Sequence, residues 1–290
     1  MLIPITLFAL ILTAQCNIDK SCASGVDAIN NASTQATSTQ SVSTQPADVC
    51  KTAVCSPKTS QPVYNPQIIA ILDKLEKAGS EIKNLQAKVK HELYQMIPDD
   101  RQTKLGVIRY KAASDGKNAK FMISFDTLIH DNLKLKRREW FCFDGHWLRE
   151  IRSQTKTVID REIIAPDEKI DPFKLGQGPF PLPFGQKKQE ILDNFTVILA
   201  AKAKNDPKHT SHLILIPKAK SKFKKKYKKI EFWIDKTLNL PVKVSAFDRH
   251  SNQITAWFSD IKINKGLTDS QLWIAIPKGY AYQKEPLTKQ

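Results

Sequence analysis

Apolar and polar positions alternate in two rhythms once the chain passes residue 65. Ile68, Ile69, Leu72 and Leu75 recur at three- and four-residue spacing, which sets them on one face of a helix. Asn65 and Pro66 supply an N-cap and a first-turn proline, and Gly79 a stop. In NLQAKVKHELY the rhythm becomes two: Leu85, Ala87, Val89, His91 and Leu93 alternate with polar neighbours. That is a strand with one buried face, and His91 is read as a core or rim histidine rather than a catalytic one. The segments LGVIRYKA, AKFMISF, REWFCF, HWLREIR, TVIDREI, FTVILAA, SHLILIP, KKIEFWID, PVKVSAF, QITAWFSDIKIN and LWIAI follow. Each is short, β-branched or aromatic, and bounded by turn residues, so each predicts a strand. Helical signal returns only in QKKQEILDN. Consecutive strands with short links predict an antiparallel sheet, strongly curved or closed.

Before residue 64 neither rhythm holds. Leu2 to Leu12 form an uncharged apolar run, too short to span a bilayer, which reads as the core of a secretory signal. Cleavage after Ala14 fits it. So does lipidation at Cys16, although Gln15 stands where lipidation signals prefer Gly, Ala or Ser. Residues 17–63 are rich in Ser, Thr, Gln and Ala and cannot bury enough surface to offset ordering entropy. The expected division is a signal peptide over 1–15, a spacer over 16–63 and a folded body over 64–285. Four of the five cysteines precede residue 56, and Cys50 with Cys55 could close a small disulfide loop. That spacing is not the CxxC of a zinc site.

The formal charge of +16 on 290 residues points to an acidic partner, or else to a solvated basic surface. Eight lysines fall between Lys218 and Lys229, with Phe223 and Tyr227 among them. Flanking strands make this a hairpin tip. Lys222, Lys224, Lys225, Lys226 and Lys228 are candidates for docking to anionic headgroups. Single-stranded nucleic acid also suits interleaved lysines and aromatics, but an exported protein rarely meets it, so no nucleic-acid partner is expected.

Candidate chemistry concentrates in WFCFDGHWLRE, where Cys142 and His146 could be a nucleophile and its base. Asp144-Gly145 signals a two-residue type I′ hairpin. It would pair Phe143 with His146, Cys142 with Trp147, Phe141 with Leu148 and Trp140 with Arg149. Cys142 and His146 then lie on opposite faces and cannot form the activating hydrogen bond. Both faces of the hairpin are apolar. One can meet a helix while the other lines an enclosed apolar space; a close-packed core is the competing reading. His209 and His212 stand at odd spacing, which sends their rings apart in a strand. No acid–base pair stands out, so neither an enzyme, a metal nor a cofactor is expected. The loop LGQGPFPLPFGQ offers Phe180 and Phe184 as plugs for a gate or a core cap.

The order of elements resembles the periplasmic lipoprotein-carrier family, the LolA-like proteins. The resemblance spans about residues 66–284 and rests on IIAILDKLEKAG running into IKNLQAKVKHEL, then LGVIRYK, WFCFDGHWLRE, FKLGQGPFPLPFG, IEFWIDKTLNLPVKVSAFD and ITAWFSDIKINKGLTDSQLWIAIPKGY. It implies an α+β half-barrel of about ten or eleven antiparallel strands with an N-terminal helix and short lid helices over an apolar cavity. It also implies a periplasmic or envelope location, a monomer, and lipid or lipoprotein acyl chains as cargo. The Arg-Pro pair that carriers use for lid closure and release is replaced here by Ala112-Ala113. That argues against active hand-on and leaves apolar-ligand binding intact. The expected lining is Phe121, Ile123, Phe125, Trp140, Trp147, Trp233 and Trp257. The alternative is an envelope interaction protein with a filled core and a basic docking surface.

Overall fold

The computed structural model describes residues 64–114, 118–164 and 184–287. The expected signal segment, Cys16, the spacer, the Cys50–Cys55 pair and Phe180 lie outside them. Helix α1 spans Pro66–Ser80 and is followed by strands β1 (Asn84–Gln95), β2 (Asp100–Lys111), β3 (Lys120–His130), β4 (Leu133–Phe143), β5 (Trp147–Arg152) and β6 (Thr157–Glu162). Helix α2 (Lys188–Asn194) leads into β7 (Phe195–Ala200), β8 (Thr210–Pro217), β9 (Tyr227–Asp235), β10 (Pro241–Asp248), β11 (Gln253–Ile263) and, at the C-terminus, β12 (Ala281–Glu285).

All twelve strands form one curved, unclosed sheet in the order β12-β6-β5-β4-β3-β2-β1-β11-β10-β9-β8-β7. Every neighbouring pair is antiparallel except β12 on β6, which is parallel. This is one or two strands more than expected, and the sheet is mixed. AYQKE has no apolar alternation and stays largely exposed, so its pattern carried no strand signal. LWIAI, expected as a strand, lies flat on the sheet instead. A 3₁₀ turn at Asp269–Gln271 precedes it, and Leu272 packs beside Met122 and Cys142.

Helix α1 forms as its pattern requires. The Asn65 side chain accepts a 2.9 Å hydrogen bond from the Gln67 backbone N–H, Pro66 opens the first turn, and Ile68, Leu72 and Leu75 are buried. Burying each of those side chains is worth about 1.5–3 kcal/mol. The helix runs past Gly79 to Ser80. Gly79 is there for close approach: a Cβ would lie 2.6 Å from the Cα of Gly185. Gly106 serves similarly at the irregularity between β2 and β3, where a Cβ would stand 1.9 Å from the Ser124 carbonyl oxygen.

Cross-strand pairing sorts the side chains onto two faces. On the helix face, α1 and α2 cover β7 to β10, burying Phe195, Val197, Leu213, Leu215, Ile230, Phe232 and Ala246. On the opposite face, the segment 264–280 lies as a strap over β3 to β5: Leu267, Leu272, Trp273 and Ile274 pack against Met122, Trp140 and Cys142. Asp269 anchors the strap to Lys111 at 2.7 Å and to Lys120 at 2.8 Å.

Candidate apolar binding face

The β4–β5 turn is not the expected two-residue loop. Phe143 pairs with Leu148, Cys142 with Arg149, Phe141 with Glu150 and Trp140 with Ile151. Asp144 makes the difference: its Oδ1 accepts from the backbone N–H groups of His146 (2.9 Å) and Trp147 (2.8 Å). That side-chain cap favours a longer turn over a type I′ pair, and Gly145 alone has positive φ. The register moves by two residues, so the side chains within the strands keep their expected faces. Cys142 remains on the strap face; His146 precedes β5 and leaves its expected face, its ring reaching Glu162, the cross-strand partner of Trp147, at 2.9 Å. Burial pushes the Cys142 thiol up to about 12, which leaves no thiolate for nucleophilic work near neutrality.

On the helix face, β2 to β5 contribute a contiguous set of buried apolar side chains outside the cluster that α1 and α2 share with β7 to β10. Pairing sets Ile108 beside Ile123 and Tyr110 beside Phe121. Phe121 in turn meets Phe143, and Ile123 meets Phe141. Phe125 sits across from Gly106, and its ring lies 6.0 Å from His91. All of these apolar side chains are buried. Phe121 and Phe143 stack with ring centroids 5.4 Å apart. Burial lowers the His91 pKa to about 4, with the nearby Lys104 charge adding to the effect, so the ring is neutral at pH 7.

Charge borders this surface. Glu139 accepts from Lys104 at 2.6 Å and pairs with Arg137 at 3.1 Å. Glu150 accepts from Arg152 Nε at 2.6 Å and from Arg161 Nη1 at 2.9 Å. Both carboxylates are buried on the helix face, each between two cations, which is the arrangement that makes a buried charge tolerable.

The seven side chains expected to line one cavity divide between the faces. Phe121, Ile123 and Phe125 share the helix face. Trp140, Trp147, Trp233 and Trp257 share the strap face, where each is covered by the strap or by a cation. Trp140 lies under the strap. Lys284 sits 4.3 Å over the Trp147 ring. Lys243 sits 3.9 Å over Trp233 and 5.7 Å from Trp257, which Lys90 also covers at 4.5 Å. Trp233 further donates to Asp206 at 2.6 Å and stacks on His212 at 4.2 Å. No single cavity can hold all seven. Ile108, Tyr110, Phe141 and Phe143 complete the helix-face surface, and their cross-strand partners in the sequence carried the signal for them. His209 takes a positive φ ahead of β8 while His212 is enclosed within it, so the two rings do not meet.

Phe184 is buried, with its ring 5.0 Å from Phe258 on the helix face of β11. The end of the Gly- and Pro-rich loop therefore docks on the sheet beside this surface. On the lysine-rich hairpin, Phe223 and Tyr227 point into the helix-covered core, whereas Lys222, Lys224, Lys225 and Lys228 are exposed and Lys226 lies over the Tyr227 ring at 5.1 Å.

No protein-family model matches the chain, and no curated protein matches it. Several solved structures have a similar course of chain. A putative outer membrane lipoprotein-sorting protein domain from Vibrio parahaemolyticus is 15% identical, with a TM-score of 0.33, over 71% of this chain and 97% of that one. LprF from Mycobacterium bovis is 14% identical, with a TM-score of 0.40, over 75% and 99%. The Mycobacterium tuberculosis lipoprotein LppX is 10% identical, with a TM-score of 0.37, over 71% and 99%. These are loose likenesses, and what those proteins bind is a statement about them alone.

Proposed function

We propose that this chain is an exported, non-enzymatic carrier or sensor that shields a lipid or lipoprotein acyl chain on the helix face of β2 to β5. The sheet would act as a half-barrel, with α1, α2 and the loop ending at Phe184 as its lid. The observation that supports this is the apolar patch itself: Phe121, Ile123 and Phe125, with Ile108, Phe141 and Phe143 beside them, run on across adjacent strands outside the cluster that α1 and α2 bury. Hydrocarbon is the ligand such a surface selects, because each methylene removed from water is worth about 0.8 kcal/mol. The charged border of Glu139, Glu150 and their cations would stop the chain from sliding further and would face a polar headgroup. Phe180 and Phe184 would gate the mouth. The tether over 16–63, with or without a lipid at Cys16, would hold the body in the periplasm or at the envelope.

One observation favours a second reading. Phe121 and Phe143 are stacked and fully enclosed, as they would be in a core filled by its own side chains. Titration of delipidated protein with a fluorescent acyl probe separates the two. A carrier gives saturable binding that Ile123→Trp weakens about tenfold with the fold kept, since added bulk occupies ligand space. A filled core gives no saturable binding.

A further inference from the structure

We propose that four hairpin ends along one rim of the sheet form a docking surface for an anionic lipid bilayer, with Ile97 and Leu133 as inserted tips and the lysine hairpin on the headgroups. This goes beyond cargo binding and stands whether or not a ligand occupies the helix face.

The β3–β4, β1–β2, β10–β11 and β8–β9 hairpins come from eight adjacent strands and end on the same side of the sheet. Their tips are bonded in sequence. His130 Nε2 meets Asp100 Oδ1 at 2.7 Å, linking the first two. The Met96 backbone N–H donates to Asn252 Oδ1 at 3.1 Å, linking the second to the third. Arg249 Nη1 donates to the Lys224 carbonyl at 3.3 Å, linking the third to the fourth. The rim is thus one continuous, braced edge.

Two kinds of exposed side chain share it. Ile97 is 87% exposed, Leu133 64%, Met96 50% and Leu135 48%. Single exposed aliphatics are ordinary, but four of them on two neighbouring tips are an apolar feature with no protein cover. At the other end of the rim, past the β10–β11 turn, residues 218–229 hold eight lysines and no acidic residue. Lys218 turns inward to the Leu192 carbonyl at 2.5 Å, and Lys229 pairs with Glu231 at 2.6 Å. Lys220, Lys222, Lys224, Lys225 and Lys228 are exposed, and Lys226 lies over the Tyr227 ring at 5.1 Å, where burial lowers its pKa. This hairpin is held in shape from below: Phe223 stacks on Phe195 at 5.0 Å, and the backbone N–H of Tyr227 donates to the Phe223 carbonyl at 2.9 Å. Acidic groups nearby are mostly engaged. Asp99 accepts from the Tyr94 hydroxyl, Asp248 caps its own turn, and Asp131 lies 3.8 Å from the His130 ring that Asp100 also meets.

Aliphatic tips and a lysine cluster on one edge are what an anionic bilayer surface accommodates, with hydrocarbon below the headgroups and ammonium groups among them. Each basic side chain near such a surface strengthens partitioning roughly fivefold. Nucleic acid fits poorly, because the aromatic rings that would stack on bases are buried.

Flotation of the full chain carrying Cys16→Ser, which removes any attached lipid, tests this. Vesicles of phosphatidylcholine alone are compared with vesicles containing phosphatidylglycerol. Binding to the anionic vesicles should exceed binding to the neutral ones at least tenfold. Replacing Lys222, Lys224, Lys225, Lys226 and Lys228 with Gln should erase that preference. Ile97→Ser with Leu133→Ser should lower binding severalfold, a loss that persists at high salt. These positions are exposed, and unchanged circular dichroism and melting temperature confirm the fold of each variant. No binding, equal binding to both vesicles, or serine variants that bind like the parent would overturn the proposal.

Discussion

His91 sits on the apolar face of β1 with its ring against Phe125 and its pKa lowered to about 4 by burial. The ordinary value is 6.5, so the unfolded chain binds this proton more readily than the folded one. Folding stability from this group is therefore complete above about pH 6.5 and is lost as pH falls toward 4. The loss reaches about 3 kcal/mol. Denaturant titrations should show that slope in the parent and a flatter one in His91→Leu; equal slopes would contradict the assignment. Cys142 makes a second test at this scale. With its thiol enclosed and raised to about 12, it should stay unlabelled by iodoacetamide at pH 8 until the chain unfolds, as peptide mass mapping would read. Labelling in the native state at the rate of a free thiol would contradict the packing of the strap.

At the scale of elements, the strap is held by one buried pair. Arg149 donates to Asp160 through Nε at 2.7 Å and Nη2 at 2.6 Å, while its Nη1 donates to the Ile274 carbonyl at 3.0 Å. The same guanidinium lies 4.3 Å over Trp273, and Tyr282 of β12 donates to Asp160 at 3.0 Å. Asp160→Ala strands the Arg149 charge and should cost about 3–5 kcal/mol. Hydrogen exchange should quicken first in 267–285. Unchanged exchange there would show that the strap is held by its apolar contacts and the Asp269 anchor without this pair. The strap also marks where sequence reading stopped. Helix α1, strand β1 and the hairpin faces were legible because period and parity survive an error of two residues in register. LWIAI carries a strand's composition, yet only the tertiary surface of Met122, Trp140 and Cys142 decides that it lies across the sheet rather than in it. AYQKE joins the sheet only because the strap delivers it to β6. The four tryptophans looked like lining because they are large and apolar. Their burial under lysines and the strap depends on elements far away in the chain.

For the whole molecule, the charge of +16 and the apolar surface belong to different parts. Eight lysines cluster in one hairpin at the rim, while Phe121, Ile123 and Phe125 lie within the sheet's helix face. A body built this way can meet a membrane with one edge and hold hydrocarbon in another region, and neither role needs the other's residues. The central claim is that the helix face of β2 to β5 shelters someone else's acyl chain. Native mass spectrometry of the exported protein, paired with organic extraction of the same sample, tests it most directly. The account predicts a mass above that of the bare chain, a hydrocarbon-bearing molecule in the extract at close to one per protein, and loss of both in Ile123→Trp. A bare-chain mass with nothing above background in the extract would contradict it.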